Sequence, residues 1–411
     1  MLQGPIAMPT GADLIARRLA AAGCRHAFGM PGGEVLAVMD ALDANGIDFT
    51  LVKHENAGGY MAEGTWHATG APAVLLATIG PGVANAVNAV ANAQQDRVPL
   101  IFLTGCVDSA EAATYTHQVF DHQAVLAPIT KASLRMADGA VDVLIDKAVA
   151  IAMEHPQGPV HVDIPIKLAE GEQPDRVYPL RAASAPAAPA PGRDLDRARA
   201  MLADAERPVL VAGLEVLADG ASEAVAQFCR DHGVPILTTY KGKGILPESD
   251  PMAMGGHGLS PKADKLIMPF LAQSDCVLCL GYDPIEMRIG WRDPWDPAKA
   301  IEVVNSPNTH YMHHTAHSFV GHIGAGLAAL TEGLAKKPRW TGGEPEALKK
   351  ALAAAFAPEA GWGPARAMAA IREAAPRETV STVDSGAHRI LLSEMWECPS
   401  PRTLLQSSAL C

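Results

Sequence analysis

The sequence predicts consecutive doubly wound, parallel-sheet α/β domains, on three observations. First, its strand-like segments, such as residues 73–78 and 99–104, are near-continuous runs of Val, Ile, Leu and Ala. Runs without polar alternation mark strands covered by helices on both faces. Second, these runs alternate with helical stretches from residue 10 to 170. That rhythm is the βαβ repeat of a parallel sheet. Third, the corners between run and helix carry Met30-Pro31-Gly32-Gly33, His54-Glu55-Asn56 and Gly80-Pro81-Gly82. The carboxyl ends of such strands are where open α/β sheets bind ligands.

Taken in order, Thr10 with Asp13 forms a capping box before a helix at 14–20, and Gly23 ends it. A short strand at 26–29 leads through the Pro-Gly-Gly corner into a helix at 34–44. Strand 49–53 is followed by helix 56–69, strand 73–78 by helix 83–94, and strands at 99–104 and 160–165 complete the pattern. Residues 1–180 are therefore expected to form the first domain. Residues 181–196 are an Ala/Pro linker, whose composition builds no core. A second α/β pattern spans 197–338, with strands at 208–212, 234–239, 276–280 and 301–305 and a helix at 221–232. Gly342-Gly343 marks a break. Residues 339–411 then offer a helix at 364–373, a strand at 379–383 and the loop Asp384-Ser385-Gly386-Ala387-His388. A domain of this class needs about 100 residues or more. The expectation is thus a truncated form of a longer enzyme, of roughly 550 residues.

The composition is globular, with 48% hydrophobic and 19% charged residues. Aromatics are only 5%, which suits helix-on-sheet packing by aliphatic side chains. A net charge of −12 argues against nucleic acid or an anionic membrane as partner. The seven scattered cysteines fit reduced thiols in a cytoplasm. The pair Cys276 and Cys279 lies in an apolar strand, where positions three apart face opposite sides. No apolar stretch reaches the roughly 18 residues of a membrane helix, and the N-terminus lacks the pattern of a signal peptide. His310, His313, His314 and His317 would share one face if helical. A polar surface is the heavily favoured reading of that cluster over a metal site.

The corners carry a resemblance. Glu55 in His-Glu-Asn-Ala, Gly80-Pro81-Gly82 with Asn85, and Asp96-Arg97-Val98-Pro99 resemble the pyrimidine-binding domain of thiamine-diphosphate enzymes. Phe28-Gly29-Met30-Pro31-Gly32-Gly33 and His117-Gln118-Val119-Phe120-Asp121, followed by Ile129-Thr130-Lys131, look most like the acetolactate synthase group. Tyr240-Lys241-Gly242-Lys243-Gly244 and Gly255-Gly256-His257-Gly258 are similar to the central domain of that family. Val383-Asp384-Ser385-Gly386-Ala387-His388 resembles the opening of its diphosphate-binding domain.

The resemblance implies decarboxylation of a 2-oxo acid with carboligation to an acceptor. The alternatives are simple decarboxylation, acyl transfer without carboligation, or a non-catalytic subunit lending Glu55 to a partner. By motif match, Glu55, Gln118 and Gly33 take catalytic roles. Pro31, Gly32, Thr78, Pro81, Asn85, Gly386, Ala387 and His388 contact the cofactor, and His117 and Lys131 line a substrate channel. Glu55 would bond N1′ of the aminopyrimidine, so that the cofactor's own amino group takes the thiazolium C2 proton. Acetolactate synthases carry Phe and Glu where this chain has His117 and Val119, which leaves the acceptor open. The family's Gly-Asp-Gly motif and following Asn, which hold Mg2+ as hard oxygen ligands, are missing, so the magnesium site is expected beyond Cys411. The single glycine of Ala212-Gly213-Leu214-Glu215 leaves FAD open. A homodimer or tetramer is implied, because the family's site lies between two subunits.

Overall fold

The computed structural model describes residues 8–176, 185–408 and 410. The expectation about the first five residues, and residues 177–184 at the start of the linker, lie outside them. The described chain divides into two units, residues 1–182 with 408–411, and residues 183–407.

The first unit opens with helix α1 (Gly11–Ala21), capped by Thr10. The Thr10 hydroxyl accepts from the Asp13 amide, and the Asp13 carboxylate accepts from the Thr10 amide, as the capping box requires. Then come β1 (His26–Met30), α2 (Leu36–Ala44), β2 (Asp48–Leu51), α3 (Glu55–Thr69), β3 (Ala73–Ala77), α4 (Pro81–Gln95) and β4 (Leu100–Cys106). A short α5 (His122–Leu126), β5 (Ala132–Arg135), α6 (Val141–Met153), β6 (Val160–Pro165) and α7 (Ile166–Glu170) complete it. The six strands pair in parallel in the order β2-β1-β3-β4-β6-β5. Strands β3, β4 and β6 are buried throughout, as their unbroken apolar runs require. The edge strands β2 and β5 are only partly covered, because an edge lacks one flanking neighbour. Here the expectation of two-face burial does not hold. The segment expected to be helical from 34 begins instead with a single tight turn at Gly33–Val35 before α2.

Helices α3 and α4 position the site. Glu55 is the first residue of α3, and Asn85 lies in the second turn of α4. One turn further along, Gly59 of α3 sits against Ala89 of α4. A Cβ on Gly59 would lie 2.4 Å from the Ala89 Cβ. Glycine at this position lets the two helices approach closely enough for Glu55 and Asn85 to touch.

The second unit begins with α8 (Arg193–Asp204), so the expected linker ends sooner than 196. Next come β7 (Pro208–Ala212), α9 (Leu214–Ala218), α10 (Ser222–His232), β8 (Ile236–Thr239), β9 (Ala253–His257), α11 (Pro261–Leu271), β10 (Cys276–Leu280), β11 (Ala300–Val304), β12 (His317–Val320) and α12 (Ile323–Thr331). The parallel sheet runs β12-β11-β10-β7-β8-β9. The expected boundary at 338/339 falls inside a continuous core. Helix α13 (Glu344–Ala355) buries Leu348 and Leu352 beside Trp340, which stacks on Phe270 at 4.5 Å. After α14 (Pro364–Ala374), the strands β13 (Ser381–Val383) and β14 (Leu404–Gln406) form a separate parallel pair around α15 (Ala387–Met395). Of the histidines after β11, His310, His313 and His314 occupy an irregular loop rather than a helix, and His317 opens β12. His313 is buried in the loop, and its imidazole faces the Glu302 carboxylate at 3.5 Å.

Gly59→Ala should lower stability by about 1–3 kcal/mol, because the added methyl overpacks a contact that already has no slack. Equilibrium unfolding in urea measures it.

Candidate active site

Sheet order places the site. In the first unit the crossover β1→β2 runs to one side and β3→β4 to the other, so the switch point lies between β1 and β3. Pro31, Gly32 and Gly33 come after β1, and Thr78 to Pro81 after β3.

Glu55 is buried, with 3% of its surface exposed. A carboxyl removed from water needs hydrogen-bond partners. Its Oε2 accepts from Asn85 Nδ2 at 3.0 Å. Among the described residues no donor is bonded to Oε1, and Oε1 lies over Gly82. A Cβ on Gly82 would stand 3.3 Å from it. The carboxyl is thus oriented by one oxygen and leaves the other for a ligand.

The neighbouring residues close in around it. Gly32 has no room for a side chain, since its Cβ would lie 2.1 Å from Thr78 Oγ1. The Thr78 hydroxyl donates to Glu34 Oε2 at 2.5 Å. Gly33 faces open space, and Pro31 is exposed. Pro81 occupies the first turn of α4, where its missing N–H costs nothing. Gly80 takes φ 64°, and a Cβ there would meet the Gln118 carbonyl oxygen at 2.1 Å. Gln118 itself has φ 60° and is exposed.

The structure therefore gathers Gly32, Thr78, Gly80, Gly82, Glu55, Asn85 and Gln118 into one constellation. His117 is exposed and its ring meets Tyr115 edge-on. Lys131 is placed otherwise. Its ammonium donates to the Glu154 carbonyl, its stem packs on Gly158, and burial lowers its pKa. Gly386, Ala387 and His388 belong to the second unit, where they open α15 and His388 Nε2 bonds Asp384 Oδ1 at 2.8 Å. Glu34 and His122, whose ring Nε2 accepts from the Gly80 amide at 3.1 Å, are not among the residues singled out from the sequence. Glu34 had a signal, since it adjoins the Gly-Gly corner. His122 had none, being one polar residue in an irregular stretch.

A parallel sheet whose switch point holds a buried, half-satisfied carboxyl over a Gly-Pro-Gly turn has the architecture of an α/β ligand-binding domain. Residues 9–125 match the thiamine pyrophosphate enzyme N-terminal TPP-binding domain, and residues 195–330 match the central domain of the same enzymes. The chain belongs to the thiamine pyrophosphate (thiamine diphosphate) enzyme family. It is 33% identical, over 61% of its length, to a probable acetolactate synthase large subunit of Methanocaldococcus jannaschii, covering 43% of that protein. It is 30% identical, over 77% of its length, to the acetolactate synthase large subunit IlvG of Mycobacterium tuberculosis, covering 57% of it. An acetolactate synthase of Mycobacterium avium is 31% identical over 79% of the chain and 52% of the relative. The chain thus spans about half the length of the curated relatives it matches.

The first unit fits the aminopyrimidine of the cofactor: a buried carboxyl with one oxygen uncommitted, and a glycine where a Cβ would fill the space beside it. The second unit does not fit a dinucleotide diphosphate at its own switch point, between β7 and β10. There a Cβ on Gly213 would lie 2.4 Å from the Gly281 carbonyl oxygen. The amide of Leu214 at the start of α9, the donor a phosphate would need, already gives its proton to Glu286 Oε2 at 3.1 Å. The other Glu286 oxygen accepts from the Thr239 hydroxyl at 2.5 Å.

Burial raises the Glu286 pKa from 4.5 to about 8, against the opposing hydrogen bond from Thr239 and the charge of Lys241. Between pH 4.5 and about 8 the folded protein thus keeps a proton that the unfolded chain releases. Stability from this group is full below the lower value and is lost as pH rises to the upper one. Glu286→Gln should remove that slope, which thermal unfolding of both proteins across the window checks.

Proposed function

We propose that this chain supplies the pyrimidine-binding half of a thiamine-diphosphate site that decarboxylates a 2-oxo acid and joins the product to an acceptor, as acetolactate synthases do. The observation that carries this reading is the buried Glu55 carboxyl, tied by Asn85 through one oxygen and open over Gly82 through the other.

When bound, the cofactor supplies a nucleophilic thiazolium carbon and an electron sink for the carbanion left by loss of carbon dioxide. This chain's residues do the rest. Glu55 Oε1 holds or exchanges a proton with the pyrimidine nitrogen. Asn85 fixes the plane of the carboxyl. Burial strengthens that contact, because no water competes for it. Gly82 leaves the space beside Glu55 Oε1, Gly32 lets the corner after β1 pack on Thr78, and the Gln118 amide is available to the substrate at the exposed edge. His117, at a position where acetolactate synthases carry Phe, bears on the choice of acceptor.

Magnesium is part of the same proposal, as is assembly into a homodimer or tetramer. FAD has no role in this reading, since Glu286 holds the position a diphosphate would take. A cytoplasmic setting rests on the free, buried cysteines. No helix among the described residues is long and apolar enough to cross a membrane.

Glu55→Gln should lower thiamine-dependent turnover by roughly 100- to 10,000-fold, the usual range for a proton-handling group, with the melting temperature unchanged. Steady-state assays with pyruvate, thiamine diphosphate and magnesium measure it. Acetolactate as product supports carboligation, free aldehyde supports simple decarboxylation, and undiminished activity in the variant removes Glu55 from the reaction. Failure of calorimetry to detect cofactor binding by the protein would favour a non-catalytic chain.

A further inference from the structure

We propose that His122 is a positioning residue of this site: the buried hydrogen-bond chain Ser133–His161–Thr104–Asp163–His122 ends on the Gly80 amide and holds the Gly80-Pro81-Gly82 turn over Glu55. The inference rests on the thiamine reading for its functional meaning, but the network stands on geometry alone.

The directions of the bonds are set by the two ends. The Gly80 N–H donates to His122 Nε2 at 3.1 Å, so Nε2 carries a lone pair. The ring proton must then sit on Nδ1, which donates to Asp163 Oδ1 at 2.8 Å. The Thr104 hydroxyl donates to the same oxygen at 2.7 Å. Having used its one proton, Thr104 Oγ1 must accept from His161 Nε2–H, 2.8 Å away. With a neutral His161 ring, Nδ1 then carries no proton and accepts from the Ser133 hydroxyl at 2.7 Å. The His122 and Thr104 donors thus have one assignment each, set by a backbone N–H at one end and a carboxylate in the middle.

The inner part of the network is dry: His161 and Thr104 are fully buried and His122 and Asp163 are 4% exposed, while Ser133 at the outer end is half-buried. Burial alone pushes the Asp163 carboxyl up, but the hydrogen bond from His122, the nearby His161 ring and the hydrogen bond from Thr104 outweigh it and hold the group well below its ordinary range. The carboxylate is therefore charged, and each bond it accepts is of the stronger, charge-assisted kind. His122, His161 and Asp163 lie close enough to suggest a cation site. However, a cation would need lone pairs on His122 Nδ1 and His161 Nε2, the two atoms these tautomers protonate.

The anchored residue is what ties the network to the site. Thr104, His161 and Asp163 lie on β4 and β6, Ser133 on β5, and His122 opens α5. Three strands thus act through one imidazole on a glycine that no side chain could replace. Gly80 sits in the left-handed region with its α-carbon against the Gln118 carbonyl. Two residues on, Gly82 makes the space beside Glu55 Oε1. Fixing the Gly80 amide consequently fixes both the Gln118 loop and the gap over Glu55. None of the five residues borders that gap, so their part is placement.

Nitrogen-15 NMR of protein labelled at histidine and glycine tests this without any cofactor. The His122 ring should show a protonated Nδ1 and a hydrogen-bonded, unprotonated Nε2. The Gly80 amide should exchange with solvent on the order of tenfold faster in His122→Leu, the loss of about one hydrogen bond, while amides of β3 keep their protection. Turnover should fall in His122→Leu through kcat at constant cofactor affinity, and recover in part in His122→Gln, whose amide can accept from Gly80 and donate to Asp163. A His122 ring protonated on Nε2, or a Gly80 amide equally protected in both proteins, would overturn the proposal. Should His122→Leu not fold, the ring tautomer in the unsubstituted protein decides alone. Loss of the thiamine reading would appear differently, as unchanged turnover in the Glu55 variant with the Gly80 signals intact.

Discussion

One hydrogen bond organises the first unit: Asn85 Nδ2 to Glu55 Oε2 at 3.0 Å. It joins α3 to α4 at the end where both helices leave the sheet. It exists because Gly59 lets those helices close on Ala89 one turn away. The cost of removing the Glu55 carboxyl from water is offset at one oxygen only. A site that holds a polar group half satisfied is poised for a ligand. A fully satisfied carboxyl would be more stable and useless.

The surrounding structure serves that arrangement from three directions. Gly82 keeps a side chain out of the gap, Gly32 packs closely on Thr78, and Thr78 is held to Glu34. The turn at Gly80 is tied through His122 to a charged carboxylate in the heart of the sheet. Precision at the switch point thus comes from backbone fixed by buried polar groups rather than from the loops themselves. The second unit is also a six-stranded parallel sheet, in a different strand order, and it fills the crevice at its switch point with its own carboxyl, Glu286. Two parallel sheets in one chain have therefore taken opposite courses at their switch points.

Much of this is legible in the sequence. Apolar runs without alternation point to the parallel sheets, because burial on both faces removes polar residues. The capping box at Thr10 and the corner at Glu55 are local signals and appear as expected. The edges are not legible in the same way. Strand β2 is apolar in part yet poorly covered, since exposure of an edge depends on strand order, which residue pattern does not encode. The Gly-Gly break suggests that helix 344–355 starts a new domain, yet Trp340 and Leu348 bury it in the central core, a contact distant in sequence from Phe270. His122, His161 and Asp163 are unreadable for the same reason. His161 and Asp163 are two apart on β6, but His122 and Thr104 come from distant stretches of chain, and only the fold brings the four together.

A crystal structure of the holoenzyme with thiamine diphosphate in place would be the most direct measurement. Glu55 Oε1 should lie within hydrogen-bond distance of the pyrimidine N1′, about 2.7–3.2 Å, with Asn85 still on Oε2. A pyrimidine facing another group, or a Glu55 carboxyl turned away from it, would contradict the role assigned to this side chain and to the helices that hold it.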